Sequence, residues 1–271
     1  MKMKSFGVVN QAQLKDNDVD RYVEELSILG YSIIEDVLTD DELKTARIKL
    51  DEVYAMQVKE FSEEELGSIN ELYMARMPFV YDDYFLSFIT NEKLINVVKA
   101  VLGNYFVLHL QNGIINMPDQ PHHQNSWHRD LPYQDFTSSA PLAISALYCI
   151  DNFDESTGGT IVIPHTHKLD HMPSEQYIQK HSAQVTAKAG ALVLFDSMVF
   201  HRAGYNASHH IRRGLNHMFT TAILKQQINI PSMLNGKYSD EPFLRMLMGY
   251  DACPPGSVAE WRRSRINKKN N

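Results

Sequence analysis

His128 and Asp130 lie in the run Ser126-Trp127-His128-Arg129-Asp130-Leu131-Pro132-Tyr133-Gln134, and His201 closes the run Phe195-Asp196-Ser197-Met198-Val199-Phe200-His201, 71 positions beyond Asp130. On an extended strand, residues i and i+2 project to one face, so the His-x-Asp triplet can offer an imidazole and a carboxylate to one ion while Arg129 points elsewhere. The third donor must come from a distant segment. His201 supplies it, beyond the apolar strand Ala191-Leu192-Val193-Leu194-Phe195. Two imidazoles and one carboxylate suit ferrous iron and leave room for a cosubstrate and oxygen. They also suit a hydrolytic zinc site with water in the fourth position.

A basic residue downstream separates these rivals. Arg212, eleven positions after His201, opens the strand-like run Arg212-Arg213-Gly214-Leu215-Asn216-His217. A planar guanidinium can hold a carboxylate through two parallel hydrogen bonds, which is what the far end of a dicarboxylic cosubstrate requires and a zinc hydrolase does not. Arg213, on the opposite face of such a strand, reads as a surface or supporting charge. His122, His123, His209 and His210 fall in polar loop stretches and read as surface or substrate-facing groups. His217 sits on an apolar strand and reads as a hydrogen-bonded core histidine.

The elements that must position these groups are of two kinds. The first third reads as mainly helical. Val19, Tyr22, Val23, Leu26 and Leu29 follow helical spacing up to Gly30, and a short strand is expected over Tyr31 to Leu38. Thr39-Asp40-Asp41-Glu42 forms a capping box ahead of the stripe Leu43, Ala46, Leu50, Val53 and Met56. Asn91 caps a further helix that ends at Gly103. From Tyr105 onward come short apolar runs separated by turn residues: Tyr105 to Leu110, Gly113 to Met117, Leu142 to Ile150, Gly159 to Pro164, Ala191 to Phe195 and Gly214 to Ala222. That texture predicts a β-sandwich or jelly roll. Lys168 to Lys188 reads as a polar insertion near the pocket mouth, because it joins the two halves of the metal motif.

The whole chain sets further limits. At 271 residues and 44% hydrophobic content it can bury a full core as one elaborated domain, with a helical part over about 15–103, a jelly-roll core over about 105–225 and a C-terminal extension over about 226–271. A formal net charge of −7 opposes general attraction to nucleic acid or anionic membranes. The basic run from Arg262 to Lys269 reads as a solvated tail. Two cysteines in unlike surroundings, Cys149 and Cys253, do not make a secreted disulfide framework. No segment approaches the roughly 18 apolar residues of a membrane span, and the first ten residues lack a signal-peptide core, so a cytoplasmic protein is expected.

Taken in order, Gly113-Ile114-Ile115-Asn116-Met117-Pro118, Trp127 to Tyr133, Gly158-Gly159-Thr160-Ile161-Val162-Ile163-Pro164-His165-Thr166-His167-Lys168, Phe195-Asp196 through His201, and Arg212 resemble the phytanoyl-CoA dioxygenase family of iron(II)- and 2-oxoglutarate-dependent oxygenases. The resemblance runs from about Gly30 to Arg263. It implies a mainly β fold with α-helices, a double-stranded β-helix (cupin-like jelly roll) supported by N-terminal helices. It implies His128, Asp130 and His201 as ligands of Fe(II), Arg212 as the anchor of 2-oxoglutarate, and Asn116 as a polar side chain against that cosubstrate. His165 and His167 then belong to a structural turn. Two positions depart from the family pattern: Ala203 stands where a small hydroxyl residue is usual, and Leu147 where an aromatic is sometimes found.

The activity implied is hydroxylation of an unactivated C–H bond of a small molecule, using O2 and converting 2-oxoglutarate to succinate and CO2. Asp130 argues against halogenation, which needs a small residue there. Trp127, Tyr133, Tyr148, Gln134 and Arg129 flank the motif and suit a polar small molecule, and the lack of a basic cluster for coenzyme A phosphates directs the expectation to a sugar or natural-product intermediate. A zinc-dependent hydrolase on a cupin-like barrel and a non-catalytic ligand-binding jelly roll are the alternative readings.

Overall fold

In the computed structural model, residues 17–120 and 122–269 are described, so the reading of the first ten residues lies outside them. Helix α1 (Asp18–Leu29) starts at Asn17, whose side chain accepts the Asp20 N–H, and stops at Gly30 in the left-handed conformation, φ 85°. Helix α2 (Asp40–Phe61) carries the expected capping box between Thr39 and Glu42. Its stripe Leu43, Ala46, Leu50 and Val53 is buried, whereas Met56 is 44% exposed. At Gly113 a Cβ would come within 2.2 Å of the Leu50 side chain, so the helix packs on the sheet at a distance only glycine allows.

Six strands, β1 (Tyr31–Ile34), β2 (Met74–Arg76), β3 (Phe106–Asn116), β4 (Ala143–Cys149), β7 (Leu192–Asp196) and β9 (Arg212–Thr221), form one sheet in the order β1-β7-β4-β9-β3-β2. A second sheet, β6-β5-β8, is built from β5 (Thr160–Ile163), β6 (Ala183–Gln184) and β8 (Phe200–Ala203). All pairings are antiparallel. The expected jelly roll is therefore present, with helices on one face of its larger sheet.

Strand alternation divides the core in two. Ile144, Ala146, Tyr148, Leu192, Leu194, Leu215 and Phe219 join the helices in the larger apolar cluster. Leu147, Cys149, Val193, Phe195 and Ile114 meet Val162, Val185 and Val199 in the smaller one, between the sheets. Both faces of β4 and β7 are thus covered, which is why these strands read as unbroken apolar runs. Cys149 is buried, Cys253 is exposed, and both are free thiols.

Several expectations change. Besides the expected strand β1, the segment 15–103 contributes a second one, β2, and the two form the edges of the large sheet. Strand β1 ends at Ile34, after which the Val37 and Leu38 N–H groups both donate to Gly190 O. The runs at Tyr105–Leu110 and Gly113–Met117 are one strand with a register shift between Leu108 and Leu110. The insertion Lys168–Lys188 folds into a helix (Glu175–His181) and β6, at the outer edge of the small sheet, and lines neither cavity at the metal motif. Residues beyond 225 do more than extend the fold, since Ile230, Leu234, Leu247 and Met248 enter the main core. Among the described residues no helix is long and apolar enough to cross a membrane.

Candidate metal centre

His128 and Asp130 do not lie on a regular strand. The loop that carries the metal motif is tied to the small sheet by an antiparallel bridge between His128 and His201, with reciprocal N–H···O=C bonds of 3.0 Å. The Asp130 N–H then donates to Ser197 O at 3.1 Å, so two hydrogen-bonded points impose on the loop the extended direction that a strand would give. The i, i+2 geometry survives for that reason.

The three side chains converge: one donor atom from each lies within 4.8 Å of the others. Asp130 Oδ1 is 3.5 Å from His201 Nε2 and 4.0 Å from His128 Nε2. His128 Nδ1 faces Ser126 O at 2.8 Å, and His201 Nδ1 faces Val199 O at 3.0 Å. A ring nitrogen beside a carbonyl oxygen must carry the proton, so each Nε2 is the atom that faces the carboxylate and would offer its lone pair to a bound metal. His201 is further fixed by stacking on Phe195, with ring centroids 5.3 Å apart and an interplanar angle of 10°.

Two serines orient the carboxylate. Ser145 Oγ donates to Asp130 Oδ2 and contacts Ser197 Oγ at 3.0 Å. Oδ1 is thereby left for the imidazoles. Burial alone would raise the Asp130 pKa, but His201, His128 and the Ser145 hydroxyl outweigh it and hold the carboxyl well below its usual range. Burial lowers the His128 pKa, helped by the neighbouring His201, while at His201 the attraction of Asp130 overcomes burial and raises it. The sequence holds a trace of these partners: Ser145 interrupts the apolar strand Ala143–Cys149, on the same face as Leu147 and Cys149.

A narrow inner cleft runs from the triad to Arg212, walled by Ile114, Leu147, Thr160, Phe195, Ala203 and Asn216 among others. Both positions that depart from the family pattern, Leu147 and Ala203, fall on this wall, and Thr160 is the cross-strand partner of Ala203. Arg212 is 2% exposed. Among the described residues its guanidinium makes one hydrogen bond, to Gly158 O at 2.8 Å, lies 4.4 Å from the Phe153 ring centroid, and has a buried Nε without a partner. Burial pushes its pKa down to about 10, which leaves it cationic at neutral pH, and among the described residues no carboxylate pairs with it. Arg213 points away and pairs with Asp51 and Asp151.

Asn116 stands directly across from Arg212 in the β3–β9 register, buried and outside the cleft's lining, its amide donating to Gly204 O at 3.1 Å and to Gly158 O at 3.5 Å. Asn216, two pleats beyond Arg212 on the same face, reaches the cleft with an Oδ1 that has no partner among the described residues, and was not singled out by the sequence motifs. The other histidines sort by packing. His122 is buried rather than at the surface, because its loop folds inward beside Arg212 and His128, while His209 and His210 are exposed. His165 Nδ1 and His167 Nε2 contact Ile28 O and Ser27 O, tying their turn to the end of α1. His217 is fully buried against Gln111.

Outside the triad, sharing Gln124, His128 and Asp130 with the cleft, lies a cavity of about 650 Å³. Tyr133, Gln134 and Arg129 line it. Tyr148 does not: β4 alternation turns it into the core, where its hydroxyl donates to Phe88 O. Trp127 instead lies beneath the Arg202 guanidinium, 5.0 Å from centroid to Cζ. Arg129 keeps its head group on the backbone carbonyls of Met198, Thr166 and Leu169, which locks the metal loop to the turn after β5.

A jelly roll that gathers two imidazoles and a carboxylate at one end, with a buried cation at the far end of the same cleft, defines a cupin-type metal-binding fold. Residues 29–214 match the family model described as phytanoyl-CoA dioxygenase (PhyH). The chain belongs to that family of iron(II)/2-oxoglutarate-dependent oxygenases. It is 32% identical over 220 residues to the uncharacterized proteins Mb1539 of Mycobacterium bovis and Rv1501 of Mycobacterium tuberculosis, covering 79% of this chain and 80% of each relative. Among solved structures it is similar to the non-heme alpha-ketoglutarate-dependent epimerase SnoN from nogalamycin biosynthesis. The SnoN complex with Fe3+, alpha ketoglutarate and nogalamycin RO gives a TM-score of 0.60 at 16% identity, over 75% of this chain and 84% of that one. The carbocyclase SnoK gives a TM-score of 0.56 at 15% identity, over 74% and 83%.

Proposed function

We propose that the protein is an iron(II)- and 2-oxoglutarate-dependent oxygenase that acts on a C–H bond of a small molecule, with hydroxylation as the default outcome. Iron would be held by His128 Nε2, His201 Nε2 and Asp130 Oδ1, and Arg212 would take the distal carboxylate of 2-oxoglutarate. The observation that carries this reading is Arg212: a cation buried in the metal cleft with, among the described residues, one hydrogen bond and no counter-ion. A buried charge is costly unless paired, and a dicarboxylate with its other end at the metal would pair it. A zinc hydrolase has no need of such a cation, and a non-catalytic binding module would release no succinate.

When bound, iron and 2-oxoglutarate supply oxygen-dependent conversion of the diacid to succinate and CO2 coupled to attack on the substrate C–H bond. The chain's part is positional. Ser126 O and Val199 O fix the two tautomers, Ser145 and Ser197 aim the carboxylate, and Asn116 braces the Gly158 and Gly204 carbonyls that shape the wall beside Arg212. Gln124 and Arg202, half-exposed side chains on the cleft, have to swing aside to seat a five-carbon diacid in so narrow a space.

The outer cavity would hold the substrate. Its size lies within the range of sites for drug-sized ligands, and its walls combine Leu110, Leu131 and Phe136 with Gln134, Tyr133 and Lys225. That mixture favours a bulky molecule bearing hydroxyl or carbonyl groups, such as a sugar-bearing or natural-product intermediate, and SnoN and SnoK, of similar fold, are proteins of nogalamycin biosynthesis. The test is succinate release from 2-oxoglutarate by purified protein with candidate substrates. It should require both Fe(II) and O2 and be blocked by N-oxalylglycine. Turnover that persists with Zn(II) in the absence of oxygen would establish a hydrolase instead.

A further inference from the structure

The basic run near the C-terminus, expected from the sequence to be a solvated tail, forms a helix over Val258–Lys269. Its first turn is capped, since Ser257 Oγ accepts the Glu260 N–H at 3.1 Å and the Glu260 carboxylate accepts the Gly256 N–H at 2.8 Å. Every residue from 251 to 267 is nonetheless exposed, Trp261 by 49%. A helix of 12 residues standing alone in water is marginal and gains its stability by packing one face against something else. Positions 258, 261, 262, 265 and 266 repeat at helical spacing, so Val258, Trp261 and Ile266 share one face with Arg262 and Arg265. That face is apolar and basic, and the Arg265 guanidinium lies 5.1 Å from the Trp261 ring centroid.

A groove of the opposite sign opens on the same chain, between the end of α2, the helix Glu63–Ser68 and the residues that follow β2. Its volume is about 530 Å³. Leu66, Met77 and Met233 line it, and Phe61, Ile69 and Tyr81 stand exposed along it. Glu65 also lines the groove, next in sequence to the exposed Glu63 and Glu64, and Glu60 reaches the Tyr81 hydroxyl at 3.2 Å. Among the described residues none of these four carboxylates enters an ion pair, and neither does Arg262 or Arg265. The chain thus carries an apolar groove with an acidic rim and an apolar helix face with a basic flank, each uncovered.

We propose that the groove receives the C-terminal helix of a second copy of this chain, and that the exchange is reciprocal, giving a closed twofold dimer. Within one chain the helix is held off the body. The Ala252 and Cys253 N–H groups both close on Gly249 O, and Pro254 and Pro255, with fixed φ, stiffen the segment that follows. The area argues for exchange as well. Trp261 brings about 150–250 Å² to each contact, with Val258 and Ile266 beside it, and two such contacts approach the roughly 1,200 Å² of a specific interface where one falls short. The arginines then meet the glutamates at the rim, which fixes the helix's position and orientation in the groove.

The test is sedimentation velocity of the full-length protein over a dilution series. Wild type should run as a dimer that dissociates on dilution, and more readily at high salt, because exposed charge pairs are screened. Trp261→Ala removes an exposed side chain, so the fold stays intact, and self-association should weaken about 30-fold or more, the scale of a tryptophan hot spot. Two charge-reversed proteins, Arg262→Glu with Arg265→Glu and Glu64→Lys with Glu65→Lys, should each be monomeric alone. Mixed in equal amounts they should form a heterodimer, since the acidic helix then meets the basic groove and the basic helix the acidic one. Wild type that sediments as a monomer at every concentration overturns the proposal and leaves the groove to the chain's own helix or to a different protein. A dimer indifferent to Trp261→Ala places the interface elsewhere, and folded charge variants that stay monomeric when mixed refute the pairing of helix and groove.

Discussion

Replacing Arg212 by methionine should stabilise the ligand-free protein and at the same time abolish its response to dicarboxylates. The guanidinium is 2% exposed, so no discount for solvent screening applies. Its pKa falls from 12.5 to about 10 on burial, and at about 1.4 kcal/mol per unit the folded state carries a penalty of about 3 kcal/mol. For a base with a depressed folded pKa the penalty applies throughout the range below about 10, so it is fully present at neutral pH. Against it stand one hydrogen bond to Gly158 O, worth about 1.5 kcal/mol or more for a charged donor, and the contact with Phe153, worth about 0.5 kcal/mol or more. The net gain is about 1 kcal/mol, or about 2–4 °C in melting temperature for a chain of this size. Wild type with a dicarboxylate at a hundred times its Kd should gain about 2.7 kcal/mol. Two melting curves for each protein, with and without N-oxalylglycine in the presence of Zn(II), should therefore cross in order: the variant higher without ligand, wild type higher with it. A variant that melts well below wild type without ligand would show that Arg212 is a structural cation. A variant that still responds to the dicarboxylate would move the anchor elsewhere, with Arg202 the next candidate.

Ser145→Ala removes the hydroxyl that aims Asp130, and metal affinity measured by competition with a chelator dye should fall about 10- to 100-fold with the fold intact; equal affinity would mean that Ser145 only packs. Burial raises the Asp196 pKa from 3.8 to about 6, so the folded state holds its proton more tightly than the unfolded one and stability is lost as pH rises from about 4 to about 6. Urea midpoints of Asp196→Asn and wild type should agree near pH 4 and diverge by up to about 3 kcal/mol above pH 6, with the variant more stable; parallel curves would refute the cause. Gly113→Ala places a methyl 2.2 Å from the Leu50 side chain and should cost about 1–3 kcal/mol in denaturant unfolding, because α2 must shift on the sheet; a neutral result would mean that Leu50 repacks freely.

Much of the site was legible because its parts follow short-range rules. The His-x-Asp spacing, the capping box at Thr39 and the stop at Gly30 depend on backbone geometry within a few residues. The loop carrying His128 was harder to read. Its extended shape comes from bonds to His201 and Ser197, about 70 residues away, rather than from the propensities of its own residues. Tyr148 was expected at the pocket because it lies near the motif, yet the pleat sends Leu147 inward between the sheets and Tyr148 outward under the helices. The β3 bulge at His109 and the edge strand β2 were hidden for the same reason, since pairing partners decide them.

The sequence by itself determined the donor types, their order and the alternating apolar texture that forces two sheets to pack face to face, because each is written in residue chemistry and in spacings of two or three to four. Only the tertiary structure decided that the three donors converge, and that Arg212 is buried without a counter-ion among the described residues while Arg213 is paired. Burial and partnership are properties of groups brought together from distant strands, and no local pattern fixes which polar atoms will find a partner when the sheets close.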